Sequence, residues 1–139
     1  MQIKTISYEL ARKLKKLGIK KEACFVHYVN PEKLECCALG SYSLCEGGEE
    51  VCWAYALEEI LDMLPSSIAI NKKRFDLIIE KLTEKTTNQH WYAVSYNGAS
   101  AAATVYKTAT EAAGNMLVWC IKNDHVKVED LNNDNKTTN

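Results

Sequence analysis

The chain has 139 residues, a net charge of −1, 47% hydrophobic residues and 25% charged residues. This length and composition are typical of one globular domain with its own core, and the balanced charge gives no general argument for nucleic acid or a membrane as partner. The opening residues 1–16 lack the apolar segment of a signal peptide, and no apolar run approaches the roughly 20 residues that cross a bilayer. We therefore expect a cytoplasmic protein whose six cysteines stay reduced.

The first predicted helix begins after Ser7, a residue type that caps helix N-termini. Leu10, Leu14 and Leu17 recur at helical spacing and predict one buried stripe. Gly18 is placed to end the helix with a left-handed residue.

The next part of the chain is less regular. Residues 23–29 are rich in aromatic and β-branched types, which predicts a short strand ended by Pro31. Residues 32–52 are expected to be mostly loop. A second helix is predicted over residues 53–64, where apolar residues recur at helical spacing, and Pro65 stops it.

An antiparallel meander of three or four short strands is predicted over residues 67–106. Residues 90–96 have the clearest strand pattern, and Asn97-Gly98 after them is a strong hairpin-turn signal. Residues 74–82 fit both a strand and a helix face. We favour a strand there because the flanking segments alternate as strand, turn and strand.

The last predicted helix starts at Thr108, which forms a capping box with Glu111: each side chain satisfies a backbone amide. Nearly the whole circumference of this helix is apolar, so we expect it to cover the meander. Residues 129–139 are almost entirely polar and are expected to form a disordered tail. The sequence thus predicts a single α+β domain, residues 1–128, with a three- or four-stranded antiparallel meander packed against helices.

Three segments resemble a group of small proteins encoded by phages and prophages, especially of Bacteroides-type hosts. They are residues 8–18 (YELARKLKKLG), 56–65 (ALEEILDMLP) and 110–120 (TEAAGNMLVWC). In that group a helix rich in alanine, with methionine and tryptophan, also closes the domain after a short meander. The resemblance implies a phage or prophage origin and a cytoplasmic setting, and it implies no activity and no functional residues.

Four cysteines raise the question of a metal site. Cys36, Cys37, Cys45 and Cys52 lie within 17 residues, with His27 nearby, and these residue types bind zinc. Their spacing lacks the Cys-x-x-Cys pair that holds two ligands on one tight turn, which favours cysteines packed as small apolar residues. Whether they bind a metal stays open, and we assign no metal ligand and no cofactor.

Catalytic signatures are missing from the sequence. A nucleophilic enzyme needs a cysteine or serine beside a histidine and an orienting carboxylate. His27, His90 and His125 lie in no such signature and are expected at the surface or at strand edges. We assign no catalytic residue and favour a protein without enzymatic activity.

Two features point to macromolecular partners instead. The polar side of the first helix and the residues after it are basic, which suits either a solvated surface or contacts to phosphates: Arg12, Lys13, Lys15, Lys16, Lys20 and Lys21. The predicted meander also carries aromatic residues of types that are enriched in protein interfaces. They form either an exposed binding face or a set whose alternate members pack under the last helix: Trp91, Tyr92, Tyr96 and Tyr106.

The sequence therefore favours a phage accessory protein that binds a protein partner or a second copy of itself. One alternative is a nucleic-acid-binding module that uses the basic first helix. Another is a HicB-like antitoxin-type partner domain, which shares the order of strands followed by a capped helix, an analogy at the level of the fold alone.

Overall fold

A computed structural model of the chain describes residues 4–29, 34–38, 51–97 and 102–133. These ranges contain four helices: α1 (Tyr8–Lys16), α2 (Leu57–Met63), α3 (Ala109–Lys122) and α4 (Val128–Asn133). They also contain seven strands: β1 (Phe25–Val29), β2 (Leu34–Ala38), β3 (Val51–Trp53), β4 (Ser67–Ile70), β5 (Lys73–Thr83), β6 (His90–Tyr96) and β7 (Ala103–Tyr106). The predicted α+β class, with an antiparallel meander packed against helices, is confirmed.

The strands form two antiparallel sheets. Strand β1 lies between β2 and β3 in a three-stranded sheet, and β4 to β7 form a four-stranded meander in chain order. Residues 74–82 belong to β5, which pairs with both β4 and β6 and confirms the favoured strand. Asn71 and Lys72 join β4 to β5 with φ angles of 53° and 70°, as a two-residue type I′ hairpin turn requires.

Helix α3 covers one face of the meander, which we call the inner face. Val94 and Tyr96 of β6 and Met116 of α3 are fully buried, and each such side chain stabilises the fold by roughly 1.5–3 kcal/mol. The Tyr96 hydroxyl donates to the Pro65 carbonyl at 2.7 Å and accepts from the Cys120 thiol at 3.8 Å. The largest buried aromatic side chain of the meander therefore has both of its hydrogen bonds satisfied.

Helix α1 crosses α3 at Gly114. A Cβ atom at Gly114 would lie 2.5 Å from Leu10 Cδ2 and 3.0 Å from Ile6 Cγ2. Both apolar side chains are buried, so the missing side chain lets them approach the backbone of α3. This crossing fixes the N-terminal segment on the helix that covers the sheet.

The N-termini of the same two helices are joined by Glu111. Thr108 Oγ1 accepts from the Glu111 N–H at 3.1 Å, as predicted. The Glu111 carboxylate, however, accepts from the Ser7 N–H at 2.9 Å and the Ser7 hydroxyl at 2.7 Å. The predicted capping box is therefore wrong in its second half, because a carboxylate between two helix N-termini gains two donors and two favourable dipoles.

Two further predictions in the first half of the chain are wrong. Helix α2 begins at residue 57 rather than 53, because residues 51–53 pair with β1 as strand β3. Residues 34–38 form strand β2 rather than a loop. The remainder of the predicted loop, residues 39–50, lies outside the described residues.

The disordered tail predicted from residue 129 is wrong for residues 129–133, which belong to α4. Asn132 joins this helix to the end of α1, because its Nδ2 donates to the Gly18 carbonyl at 2.9 Å and its Oδ1 accepts from the Lys20 N–H at 2.7 Å. Gly18 has the predicted left-handed backbone, with φ of 97°. Residues 134–139 of the tail lie outside the described residues.

Among the described residues, no helix is long and apolar enough to cross a membrane.

The Ser7–Glu111 contact predicts a coupling between two residues that are 104 positions apart. In a double-mutant cycle of Ser7→Ala and Glu111→Ala, measured by urea unfolding, we expect a coupling of about 1 kcal/mol, because the contact is charge-assisted but partly exposed. Ser7→Ala combined with Glu58→Ala, a first-turn glutamate of α2, is the matched control and should be additive. Additivity in the Ser7–Glu111 cycle would show that this contact does not join the helices.

Candidate protein-binding surface

The meander has a second face, opposite α3, which we call the outer face. Alternation along the strands separates the two faces, and Thr104 marks the inner one because its hydroxyl donates to the Ala112 carbonyl of α3 at 2.7 Å. Among the outer-facing side chains of β5, β6 and β7, none is buried. The outer face is therefore accessible to a partner.

The part of the outer face towards Leu82 and Trp91 is mostly apolar, with a centre of small residues. The register gives three rows across the sheet: Leu82 beside Trp91, Glu80 beside Ala93 and then Val105, and Ile78 beside Ser95 and then Ala103. Ala93, Ser95 and Ala103 form the centre, which is bordered by larger apolar side chains and, on the β5 side of Ala93, by Glu80. A shallow apolar surface of this kind suits a protein partner.

The apolar surface continues around one end of the sheet. Exposed fractions are 43% for Leu82 and 50% for Val105 on the outer face, and 41% for Ile79 and 38% for Tyr106 on the inner face. These four are the exposed large hydrophobic residues of the described ranges. We call the end of the sheet that they form, together with Trp91, the distal end.

Trp91 is the aromatic anchor of this surface. Lys107 Nζ lies 4.1 Å from the centre of the Trp91 ring and donates to Gln89 Oε1 at 3.0 Å, a geometry in which the cation is attracted to the ring face. The predicted aromatic cluster is divided by strand alternation: Trp91 lies on the outer face, whereas Tyr92 and Tyr96 lie on the inner face. Only Trp91 among the aromatic residues of β6 belongs to the outer face.

Sequence analysis missed Leu82, Val105 and Ile79 as surface residues. The signal was present in β5, where Ile78 and Leu82 alternate with Ile79, so that both faces of this strand are apolar. A strand that is apolar on both faces needs cover on both faces. Helix α3 covers only the inner face.

Part of the predicted basic surface forms a separate feature. Lys13 and Lys16 of α1 and Lys122 of α3 line a hollow of about 220 Å³ over Leu17 and Val118. All three lysines lie in the last turn of their helix, where a cation offsets the negative end of the helix dipole. The hollow therefore combines positive charge with an apolar floor.

Two of the four cysteines considered as metal ligands lie beside His27. The register places Cys36 on β2 and Cys52 on β3 opposite His27 on β1. In the part of the chain that the structure describes, no group of three or more histidine, cysteine or acidic side chains is arranged to hold a metal ion. Cys45 and the side chain of Cys37 lie outside the described residues.

The thiols whose pKa values shift are poor nucleophiles. The nearby Glu59 carboxylate raises the pKa of Cys24, and burial raises the pKa of Cys36. Burial also raises the pKa of Cys120 to about 11. Since the thiolate is the reactive form, each of these shifts makes its thiol less reactive at neutral pH.

His27 is buried, and the prediction that it lies at the surface is wrong. Its side chain is 7% exposed, its Nε2–H donates to the Ile6 carbonyl at 2.7 Å, and the Tyr8 ring stands edge-on at 6.0 Å. Its Nδ1 has no hydrogen-bond partner among the described residues. Burial lowers the pKa of His27. The Ile6 carbonyl and the Glu111 carboxylate raise this pKa by a smaller amount, so the ring is neutral at neutral pH.

The other two histidines have surface positions. His90 is exposed at the start of β6, where its Nδ1 lies 2.9 Å from Thr83 Oγ1. His125 is partly exposed and stacks on Trp119, with 5.2 Å between ring centres. The prediction that these two histidines lie at the surface or at a strand edge is confirmed.

Comparisons with known proteins leave the surface as the main guide to function. No protein-family model matches the chain, and no curated protein or solved structure is significantly similar to it.

Buried His27 predicts a loss of stability in acid. The unfolded chain takes up a proton on this ring near pH 6.5, whereas the folded chain keeps it neutral to lower pH. The free energy of unfolding should therefore fall below about pH 6.5, by at most about 1.4 kcal/mol per pH unit from this group, until the folded-state pKa is reached. Urea unfolding between pH 7.5 and about 5 measures this slope.

Two variants separate His27 from the other titrating groups. His27→Gln keeps a donor for the Ile6 carbonyl and should remove this part of the slope, whereas His90→Gln should leave the slope unchanged. Equal slopes in His27→Gln and the wild-type protein would contradict the assignment.

Proposed function

We propose that this chain is a phage- or prophage-encoded accessory protein that acts in the bacterial cytoplasm by binding a protein, without catalysis. The observation that carries the proposal is the apolar outer face, with its continuation around the distal end. Trp91, Leu82 and Val105 supply the kind of large apolar anchors on which binding energy concentrates. The raised pKa values of Cys24, Cys36 and Cys120 do not favour a nucleophilic thiol at these three positions.

The shape of the outer face indicates the partner's chemistry. Ala93, Ser95 and Ala103 leave room for a rounded element, with Leu82 and Trp91 at one end of that room and Val105 on its β7 side. An amphipathic helix with an apolar stripe fits this arrangement, because its stripe fills the small centre while its flanks contact the larger side chains. Glu80 and Lys107 lie at opposite sides of the surface and favour a partner helix that carries both charge signs.

Site-specific photo-crosslinking in cells that carry the phage tests this proposal. A benzophenone amino acid at Ser95, on the outer face, should form adducts with one defined protein, whereas the same group at Asp62, exposed on α2, should not. Leu82→Glu should lower the adduct yield from position 95 by about tenfold, since it places a charge in the apolar anchor. Lys73→Glu, at the other end of the same strand, is the matched control and should leave the yield unchanged.

Two outcomes would contradict the protein-binding surface. One is the absence of adducts from position 95. The other is the same adducts from positions 62 and 95, with no effect of Leu82→Glu.

Nucleic-acid binding is a second candidate, because three lysines converge on one hollow between α1 and α3. Lys13, Lys16 and Lys122 have no ion-pair partner among the described residues. If all three contact phosphates of a single strand, the logarithm of the affinity should fall with the logarithm of salt concentration with a slope of about −2.

Fluorescence anisotropy with a thymidine oligonucleotide measures this slope. Lys13→Glu with Lys122→Glu should abolish the binding, and Lys72→Glu with Lys85→Glu, distant in sequence from the hollow, is the charge-matched control. No binding at low ionic strength would eliminate the candidate.

A further inference from the structure

Within the part of the chain that the structure describes, strand β7 is an open edge of the meander. It pairs there with β6 alone, and its ladder runs from Ala103 to Tyr106 without interruption. The four residues of β7 include no charge and no proline, the devices with which natural edge strands prevent pairing with another chain. The edge therefore has the chemistry of a strand that accepts a further strand.

The phase of the hydrogen bonds identifies which backbone groups are free at this edge. The Tyr96 N–H donates to the Ala102 carbonyl at 3.2 Å, and opposed residues in an antiparallel ladder are alternately hydrogen-bonded and non-hydrogen-bonded. Thr104 therefore bonds to β6, whereas Ala103 and Val105 direct their N–H and C=O groups away from it. These four groups form the pairing edge.

Exposed side chains on β7 call for a partner that reaches both faces of the sheet. Val105 is 50% exposed on the outer face, and Tyr106 is 38% exposed on the inner face. A strand added beside β7 contacts both of them, whereas a partner on the outer face alone leaves Tyr106 uncovered. The other edge strand, β4, has no exposed large hydrophobic residue, so the two edges differ.

The sequence of β7 is compatible with pairing to itself. If the β7 strands of two copies pair antiparallel about Val105, Val105 of one copy lies opposite Val105 of the other copy. Ala103 of one copy then lies opposite Lys107 of the other. No like charges face each other, and the hydrogen-bonding groups of Ala103 and Val105 fall in register. We propose that two copies of this chain associate through their β7 strands, which joins the two meanders into one continuous eight-stranded sheet.

The dimer would place two outer faces side by side on one sheet. That it thereby doubles the protein-binding surface rests on the proposed function, whereas the strand pairing itself does not. Edge pairing buries a small area, so we expect a dimer that dissociates at micromolar concentrations. Such a dimer is symmetric, with the same strand contributed by each copy.

Val105→Pro tests the pairing directly. The Val105 N–H points to the open edge, so proline there removes a donor for the second copy and no hydrogen bond to β6, as edge strands tolerate. The matched control is Ala69→Pro on β4, the other edge strand. The Leu77 N–H donates to the Ser66 carbonyl at 2.9 Å, so Ser66, Ile68 and Ile70 direct their backbone groups to β5. By the same alternation, the Ala69 N–H points to the open edge of β4. Val105→Lys keeps the N–H and adds like charges at the centre of the pair.

Sedimentation velocity across micromolar concentrations, with native mass spectrometry, gives the readout. We expect the full-length wild-type chain and Ala69→Pro to dimerise equally, and both Val105 variants to dimerise at least about tenfold more weakly. Thermal unfolding checks that each variant is folded, and Val105→Lys serves as the test if Val105→Pro is not. Leu82→Glu should lower the yield of crosslinked adducts and leave dimerisation unchanged. The two measurements therefore separate a failure of the proposed function from a failure of the strand pairing.

The proposal is overturned if the wild-type chain stays monomeric at every concentration. It is also overturned if the folded Val105 variants dimerise as well as the wild-type chain does, or if β7 pairs only with a different protein.

Discussion

The structure depends on the docking of α1 against α3. Gly114 lets Leu10 approach the backbone of α3, and the carboxylate of Glu111 accepts two hydrogen bonds from Ser7 at the start of α1. Helix α3 in turn covers the inner face of the meander, and α1 contacts β3 of the smaller sheet. The smaller sheet is therefore connected to the meander partly through this helix pair. Its crossing depends on the missing side chain of Gly114, and its N-termini are joined by the Glu111 carboxylate.

The exposed residues of the inner face follow from the position of α3 on the sheet. On the meander, helix α3 packs mainly against β6 and β7, so the inner face of β5 is only partly covered. Ile79 on β5 is 41% exposed although it pairs with Val94, which is fully buried. Because the outer face has no helix from the described ranges against it, apolar side chains meet solvent on both faces of the same end. Such a surface costs stability in isolation, and binding a partner would offset this cost.

Local patterns were sufficient to predict most of the elements. Periodicity predicted α1, α3 and the meander, because these elements bury one face and the spacing of apolar residues reports that face directly. The start of α2 was missed because residues 53–56 continue the helical pattern, while pairing of β3 with β1 takes precedence. The partner of Glu111 and the burial of His27 could not be predicted, since both depend on contacts between residues far apart in sequence. Trp91 was singled out from its residue type, whereas the exposure of Leu82, Val105 and Ile79 depends on which parts of the sheet α3 leaves uncovered.

Hydroxyl-radical footprinting inside cells tests the central claim, that the outer face and distal end form an interface. The oxidation of Trp91, Leu82 and Tyr106 would be compared between the purified protein at low concentration and the same protein in cells of the organism that encodes it. Trp119, outside this surface, is the internal reference. The account predicts that the three surface residues are protected in cells while Trp119 is oxidised equally in both settings. Equal oxidation of all four residues in the two settings would contradict it.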